Sequence, residues 1–519
     1  MGKALMVQGT ASSVGKSFLV TGLCRLFVQE GVKVAPFKAQ NMALNAAVTV
    51  EGGEIGRAQA VQAEAAGIEP TVDMNPILLK PETDTHSQVI VKGWLYDSMS
   101  FGEYRRERER LLPIIRESLE RLLVSYDLVI IEGAGNPAEV NLKEDDIVNM
   151  RIAKMAEAPV LLVGDIDRGG VFASLVGTIE LLPPEERRLV KGFVINKFRG
   201  DPTLLHPGLV FLEERTGVPI LGVLPYLRDL RLPAEDSVSL EGAPIRSDPS
   251  ALLDIAVIHL PQISNFDDFE PLAQEPGVSV RYVHRLEQLE NPDLIILPGT
   301  KSTVSDLLFL EKSGLAQEIR AKGGQGVPII GICGGYQLLG ERILDPQRVE
   351  SEVAEIEGLG LLPVSTIFQP TKTTQRVKAV VLGGSWLLAG AEGAEVNGYE
   401  IHMGETIASN TPTPPLPLQG EGKGGGPFLV VERSGRKAQD YDGAAHGKGH
   451  IFGTYLHGLF HNRELRMGIL RALAGRKGLK ALPRWGELPS REEEYDRLAS
   501  LLRTHLDIER LFAICGVGP

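Results

Sequence analysis

Gly9-Thr-Ala-Ser-Ser-Val-Gly15-Lys16-Ser17 lies between the apolar run Ala4–Val7 and the helical pattern Lys16–Gln29. It therefore reads as a glycine-rich turn leading from a strand into a helix. Such a turn aims several backbone N–H groups at one point, and the helix N-terminus adds positive partial charge there. Nucleotide phosphates suit this cradle. Gly9, Thr10 and Gly15 shape it, Lys16 reaches the outer phosphates, and Ser17 offers a hydroxyl to Mg²⁺. The strict motif has four residues between its glycines; here five separate Gly9 from Gly15, and Thr10 occupies the strict first-glycine position.

Outward from this turn, short β-rich runs alternate with helical stretches. The runs are Lys33–Phe37, Leu128–Ile131, Val160–Val163, Gly192–Ile195 and Ile220–Val223; the helices include Ile55–Ala66 and Glu103–Leu123. Alternation of this kind predicts a doubly wound α/β domain with a largely parallel sheet. Three strands end in polar residues: Glu132, Asp165 and Asn196. Acids at the C-terminal ends of such strands lie beside the phosphate crevice, which makes Ser17, Glu132 and Asp165 the candidate Mg²⁺ ligands. Asn196 is placed to read a base edge.

A second signature stands far downstream. Gly331-Ile-Cys333-Gly334-Gly335 follows the apolar run Val327–Ile330, the pattern of a nucleophile elbow with cysteine in place of serine. A helix N-terminus favours the thiolate. The N–H of Gly334 is positioned to bind an oxyanion, and the loop Leu297-Pro-Gly299-Thr offers a second donor at Gly299. His457, in Tyr455-Leu-His-Gly, is the candidate base. Around this signature a second strand–helix alternation begins at Asp254–His259. The expected organisation is a P-loop domain at 1–233, a Pro/Ser/Asp/Gly-rich linker at 234–251, a second doubly wound domain at 252–462 and a helical C-terminal extension at 463–519. A Pro/Gly-rich insertion at 411–427 reads as an exposed loop.

Composition narrows the partners. The chain has 519 residues, a hydrophobic content of 43% and a net charge of −13. Its size calls for two or more domains. The negative balance argues against nucleic acid as the main ligand. Cys24, Cys333 and Cys515 form no disulfide or metal spacing, which suits a reducing cytoplasm. No apolar run approaches the roughly 20 residues of a membrane span. Small-molecule substrates are expected, and homo-oligomerisation stays open.

Resemblance sharpens these expectations. Gly9–Ser17, Lys38 in Pro36-Phe-Lys-Ala-Gln-Asn41 and Glu132 in Glu-Gly-Ala-Gly resemble the dethiobiotin synthetase-type P-loop group, which activates carboxyl groups by phosphorylation. That similarity implies a role for Lys38 at phosphate or at the substrate carboxylate. Leu-Pro-Gly-Thr, Gly-Ile-Cys-Gly-Gly-Tyr-Gln and Leu-His-Gly resemble the class I glutamine amidotransferases. Those normally carry Glu two residues after the histidine, where Leu459 stands here, so a third triad member is missing or comes from elsewhere. Longer stretches, among them Asp165-Ile-Asp-Arg-Gly-Gly-Val-Phe, Ile263-Ser-Asn-Phe-Asp-Asp-Phe and Gly398-Tyr-Glu-Ile-His-Met-Gly, resemble the cobyric acid synthase family. Membership implies ATP, Mg²⁺ and glutamine, and four amidations, at the b, d, e and g side chains of adenosylcobyrinic acid a,c-diamide, through an acyl phosphate. Two other readings remain: the sister enzymes that amidate the a and c positions, and a P-loop switch carrying an inactive amidotransferase-like domain.

Overall fold

A computed structural model describes residues 2–83, 85–227, 240, 244–409 and 425–518. Half of the expected linker and nearly all of the Pro/Gly insertion lie outside the described residues. The chain divides into two compact units, one formed by Met1–Ala43, Glu54–Glu235 and Pro489–Pro519, the other by Leu44–Gly53 and Asp236–Leu488. Each is a doubly wound α/β structure. Among the described residues no helix is long and apolar enough to cross a membrane.

The first unit is built on six strands: β1 (Lys3–Gly9), β2 (Val34–Phe37), β3 (Leu128–Glu132), β4 (Val160–Asp165), β5 (Val190–Phe198) and β6 (Ile220–Pro225). They pair in parallel in the order β6-β5-β4-β1-β3-β2. β1 and β3 are buried along almost their whole length, as expected for strands covered on both faces. Strand order reverses beside β1, and ligands of open α/β sheets bind where this happens, outside the carboxyl ends. Register pairs Gly9 with Val163, Val7 with Glu132 and Asp165 with Asn196, so the polar strand ends stand along one edge. Two helices matter for the site, α1 (Lys16–Gln29) and α2 (Arg57–Ala65). A separate sheet of Gln40–Met42, Ile77–Pro81, His86–Val91 and Trp94–Ser100 completes this half. Its mostly antiparallel strands carry no strong alternation and escape the sequence pattern.

The second unit has its own central sheet: β7 (Leu253–Ile258), β8 (Val278–Val283), β9 (Leu294–Leu297) and β10 (Ile329–Ile332), joined by β13 (Ala444–Ala445) and β14 (Ile451–Thr454) in the order β8-β7-β9-β10-β14-β13. Only the β13–β14 pair is antiparallel. Beside it lies a largely antiparallel sheet containing β11 (Val364–Val381) and β12 (Glu395–Ala408). Helices α3 (Gly334–Leu339) and α4 (Arg463–Arg476) belong here. So does Leu44–Gly53: the Ala46 N–H donates to Asn265 Oδ1 at 2.9 Å, and Arg376 Nε donates to the Val48 carbonyl at 2.8 Å.

The helical extension expected at 463–519 is divided. α4 stays with the second unit, where Arg466 pairs with Glu275 at 2.7 Å. Helices α5 (Arg491–His505) and α6 (Ile508–Cys515) complete the first. Tyr495, Leu498, Ala499 and Leu502 are buried, and a Cβ on Gly22 of α1 would meet Leu502 Cδ1 at 2.6 Å. The Phe27 and Phe512 rings lie 4.9 Å apart. At the joint between α5 and α6, the Asp507 N–H donates to the Leu221 carbonyl at 2.7 Å, which occupies part of the open edge of β6. An amphipathic helix records in its sequence that it has a buried face, but not which sheet buries it.

Candidate active sites

The phosphate loop is held from below by side chains of neighbouring strand ends. Thr10 N–H donates to the Val163 carbonyl and Asn136 Nδ2 to the Thr10 carbonyl, each at 2.9 Å. Asn196 Nδ2 donates to the Val14 carbonyl at 2.9 Å, and Asn196 Oδ1 accepts the Lys197 N–H at 2.8 Å. Its amide therefore fastens the loop rather than standing free for a base edge. Lys197 Nζ bridges the Ser13 carbonyl at 2.7 Å and Asp165 Oδ2 at 2.8 Å. Gly15 has φ +99°, and a Cβ there would stand 2.2 Å from Asn196 Nδ2. Only glycine fits that position without strain.

Glu132, at the end of β3, gathers this site together. Its carboxylate accepts from Ser17 Oγ at 2.9 Å, Lys38 Nζ at 2.8 Å and Gln62 Nε2 at 2.5 Å. The Lys38–Glu132 pair is buried, and a buried ion pair is tolerable only when its remaining hydrogen-bond capacity is met. Lys16 is also buried, with Nζ 3.1 Å from the Ala11 carbonyl. The oxygen donors Ser17 and Glu132 fit Mg²⁺, which takes one or two protein ligands and leaves its other positions to phosphate and water. Asp165 lies on the same sheet edge, but its oxygens already accept from Lys197 and from the Asp167 N–H.

In the second unit Cys333 sits between β10 and α3 with φ 52° and ψ −109°, a strained conformation of the kind held in place at reactive sites. A Cβ on Gly335 would lie 2.0 Å from the Leu297 carbonyl, so glycine lets the end of β9 approach the elbow. Gly334 packs against Thr300, and a Cβ on Gly299 would meet His457 Cε1 at 2.8 Å. Cys333 Sγ lies 3.4 Å from the Ile401 carbonyl of β12. The two proposed oxyanion positions, the thiol and His457 are thus assembled in one place.

His457 is buried and closely partnered. Its Nδ1–H donates to Asp268 Oδ2 at 2.8 Å, and Asp268 Oδ1 accepts the Gly458 N–H at 2.7 Å. Asn265 Nδ2 lies 3.4 Å from Nε2. The Tyr399 ring stacks on the imidazole at 5.1 Å between centroids. Burial disfavours the charged ring, but the Asp268 carboxylate and the Cys333 sulfur outweigh it and raise the pKa to about 10. With Nδ1 committed to Asp268, Nε2 is left to exchange a proton with Cys333. This is the three-part arrangement of nucleophile, base and orienting carboxylate.

Comparison with known proteins agrees with this pairing of sites. Residues 5–240 match the CobQ/CobB/MinD/ParA nucleotide binding domain, and residues 254–465 match the CobB/CobQ-like glutamine amidotransferase domain. The cobyric acid synthase of Dehalococcoides mccartyi (strain CBDB1) is 52% identical over 522 residues, covering 100% of both chains. That of Pelotomaculum thermopropionicum is 52% identical over 532 residues, covering 100% of this chain and 98% of its own. That of Sorangium cellulosum is 53% identical over 524 residues, covering 99% and 98%. The chain belongs to the cobyric acid synthase family.

Within this cobyric acid synthase family member, the structure adds residues that motif reading passed over. Asp268 occupies the orienting position left open by Leu459, which is itself buried apolar packing. It lies on the opposite side of the domain's sequence, 189 positions before His457. Ile263-Ser-Asn-Phe-Asp-Asp-Phe carried it as part of the family resemblance, without any signal of its role. Gln62 and Lys197 were likewise silent, because a buried amide or a loop-strapping lysine has no spacing rule.

Proposed function

We propose that this chain amidates carboxylate side chains of a corrinoid, using ATP to activate the acid and glutamine to supply nitrogen, in the cytoplasmic synthesis of cobalamin. The finer reading is conversion of adenosylcobyrinic acid a,c-diamide to adenosylcobyric acid at the b, d, e and g positions. The observation that carries it is the presence of a complete Cys333–His457–Asp268 set on a chain that also owns a phosphate cradle with Lys38 and Glu132 at its rim. One site suits release of ammonia from a carboxamide; the other suits phosphorylation of a carboxylate.

In the first reaction, the Cys333 thiolate attacks the glutamine carboxamide. The N–H groups of Gly334 and Gly299 receive the developing oxyanion, and the His457 imidazolium gives its proton to the departing ammonia. Water then releases glutamate from the sulfur. In the second, ATP lies on Gly9–Ser17 and a corrin carboxylate attacks the γ-phosphorus, with Lys16 and Lys38 balancing the negative charge. Mg²⁺, held by Ser17 with Glu132 and Asp165 nearby, supplies Lewis-acid neutralisation of the phosphates when bound. Ammonia displaces phosphate from the acyl phosphate to give the amide.

The test is incubation with ATP, Mg²⁺, glutamine and the a,c-diamide, followed by mass analysis of the corrinoid. Four successive losses of about one mass unit each, the difference between a carboxylic acid and its amide, are expected. Cys333→Ser should abolish glutamine-dependent turnover and preserve turnover with ammonium chloride. Failure of ammonium chloride to support that variant would overturn the division of labour between the two sites.

A further inference from the structure

Helix α2 carries two buried amides with unmet hydrogen-bonding atoms. Among the described residues, Gln62 Oε1 and Gln59 Nε2 have no hydrogen-bond partner, and both side chains are fully buried. Leaving such an atom unpaired forfeits its hydration with nothing in return, so a pair on one helix calls for a reason. The two residues are three positions apart and share a helix face.

Their surroundings fix how they are presented. Glu132 accepts from Gln62 Nε2 at 2.5 Å. A carboxylate has no hydrogen to donate, so the amide nitrogen of Gln62 must face it and Oε1 must face elsewhere. Gln59 Oε1 accepts from Asn41 Nδ2 at 3.0 Å, which leaves its buried nitrogen as the unmet atom. The start of α2 is pinned in turn. Gly56 N–H donates to Asn75 Oδ1 at 2.9 Å, and Asn75 Nδ2 donates to the Lys38 carbonyl at 3.2 Å. A Cβ on Gly56 would lie 2.4 Å from Asn41 Nδ2. α2, Lys38 and Glu132 are therefore one connected framework, which also holds Ser17 of the phosphate loop.

We infer that Gln59 and Gln62 contact the reacting groups in the amide-forming step, Gln59 holding the acyl oxygen and Gln62 holding the incoming ammonia. The inference rests on the acyl phosphate reading above and names the groups that align its second half. An acyl phosphate meeting ammonia presents an acceptor, the carbonyl oxygen, and a donor, the N–H of the nucleophile. Gln59 Nε2 and Gln62 Oε1 complement that pair. A neutral carboxamide oxygen also suits ammonia better than a carboxylate would, because a negative acceptor stabilises ammonium, which has no lone pair to attack with. In the step, the nitrogen lone pair forms the C–N bond and the C–O bond to phosphorus-bound oxygen breaks. One N–H proton leaves with the phosphate: RCO–OPO₃²⁻ + NH₃ gives RCONH₂ + HPO₄²⁻.

The experiment uses the full-length enzyme with ATP, Mg²⁺, the acidic corrinoid and ammonium chloride in place of glutamine. It measures KM and kcat for ammonia beside the scrambling of ¹⁸O from the β,γ-bridge of ATP, which reports reversible acyl phosphate formation. Gln62→Met is expected to raise the ammonia KM about tenfold while kcat at saturating ammonia falls less than threefold; Gln59→Met is expected to raise the corrinoid KM instead. Should Gln62→Met not fold, Gln62→Asn, which withdraws the carbonyl by one methylene, should give the same rise in KM. An ammonia KM within twofold of the unmodified enzyme, or scrambling and kcat that fall together at constant KM, would overturn the inference and leave Gln62 as a brace for Glu132. Absence of both scrambling and ammonia-supported amidation in the unmodified enzyme would instead overturn the acyl phosphate reading.

Discussion

Replacing Asp268 by Asn keeps the shape of the side chain and removes its charge. In the structure that charge lies 2.8 Å from His457 Nδ1, inside a site where both side chains are 1% exposed. Burial lowers the imidazole pKa, and the value of about 10 exists because Asp268 first, and Cys333 second, overcome it. The gap from an ordinary imidazole near 6.5 is worth roughly 4–5 kcal/mol. Asp268 is the first of the raising charges, and removing one partner of a buried charge pair costs about 3 kcal/mol or more, so its loss should weaken the charged imidazole by that order. That corresponds to a fall in glutaminase kcat of roughly 10²- to 10³-fold. The sign in pH is also determined. The charged histidine is lost as pH rises through its folded pKa, so the alkaline limb of the glutaminase profile should move from near 10 toward neutral pH. Glutamate release measured from pH 6 to 10.5 reads both effects, and alkylation of Cys333 by iodoacetamide reads the thiolate directly. Ammonium-supported amidation should persist, which reports a folded protein. A variant whose glutaminase kcat stays within fivefold of the unmodified enzyme, with an unmoved alkaline limb, would refute the role given to Asp268.

Other substitutions probe the remaining supports. Gly15→Ala places a methyl 2.2 Å from Asn196 Nδ2 at a φ of +99°; ATP should lose at least tenfold in KM and no longer raise the melting midpoint, and retention of both would contradict the loop geometry. Leu502→Ala empties a fully buried position between α5 and α1, at an expected cost of about 2–5 kcal/mol, checked by denaturant titration. Asp442, buried behind Thr454 and Tyr455, is pushed up to about 7 by burial and then by the charge of Glu400. Its neutral form supports the fold below pH about 4, and that contribution is lost as pH rises through 7. Asp442→Asn should therefore flatten the decline of the melting midpoint between pH 5 and 7.5; an unchanged slope would remove Asp442 from that account.

Sequence carried the parallel sheets well because their strands are continuous apolar runs. Lys16–Gln29 is the helix expected, and the runs from Ala4–Val7 to Ile220–Val223 all fall within or overlap strands of the first sheet. The long strands β11 and β12 were not legible. Stretches such as Gln-Pro-Thr-Lys-Thr-Thr-Gln mix polar and half-buried positions, so no face is announced until the partner strand is present. The site divides the same way. Cys333, His457, Lys16 and Ser17 stand in motifs whose local geometry is their chemistry. Asp268 reaches His457 only through tertiary packing, and Gln62 is recognisable only because its neighbours leave one atom unmet.

The return of α5 and α6 to the first unit has a consequence for biogenesis. When the ribosome has completed β6, the apolar side of α1 still lacks Tyr495, Ala499 and Leu502, which are translated only after the second unit. At roughly 5–20 residues per second, the nascent nucleotide domain waits for tens of seconds with that flank uncovered, while everything from Asp236 to Leu488 emerges. The glutaminase half is thus free to mature before the synthetase half is sealed. A nascent chain that stalls or is clipped before Pro489 would leave the first unit without the two helices that cover α1.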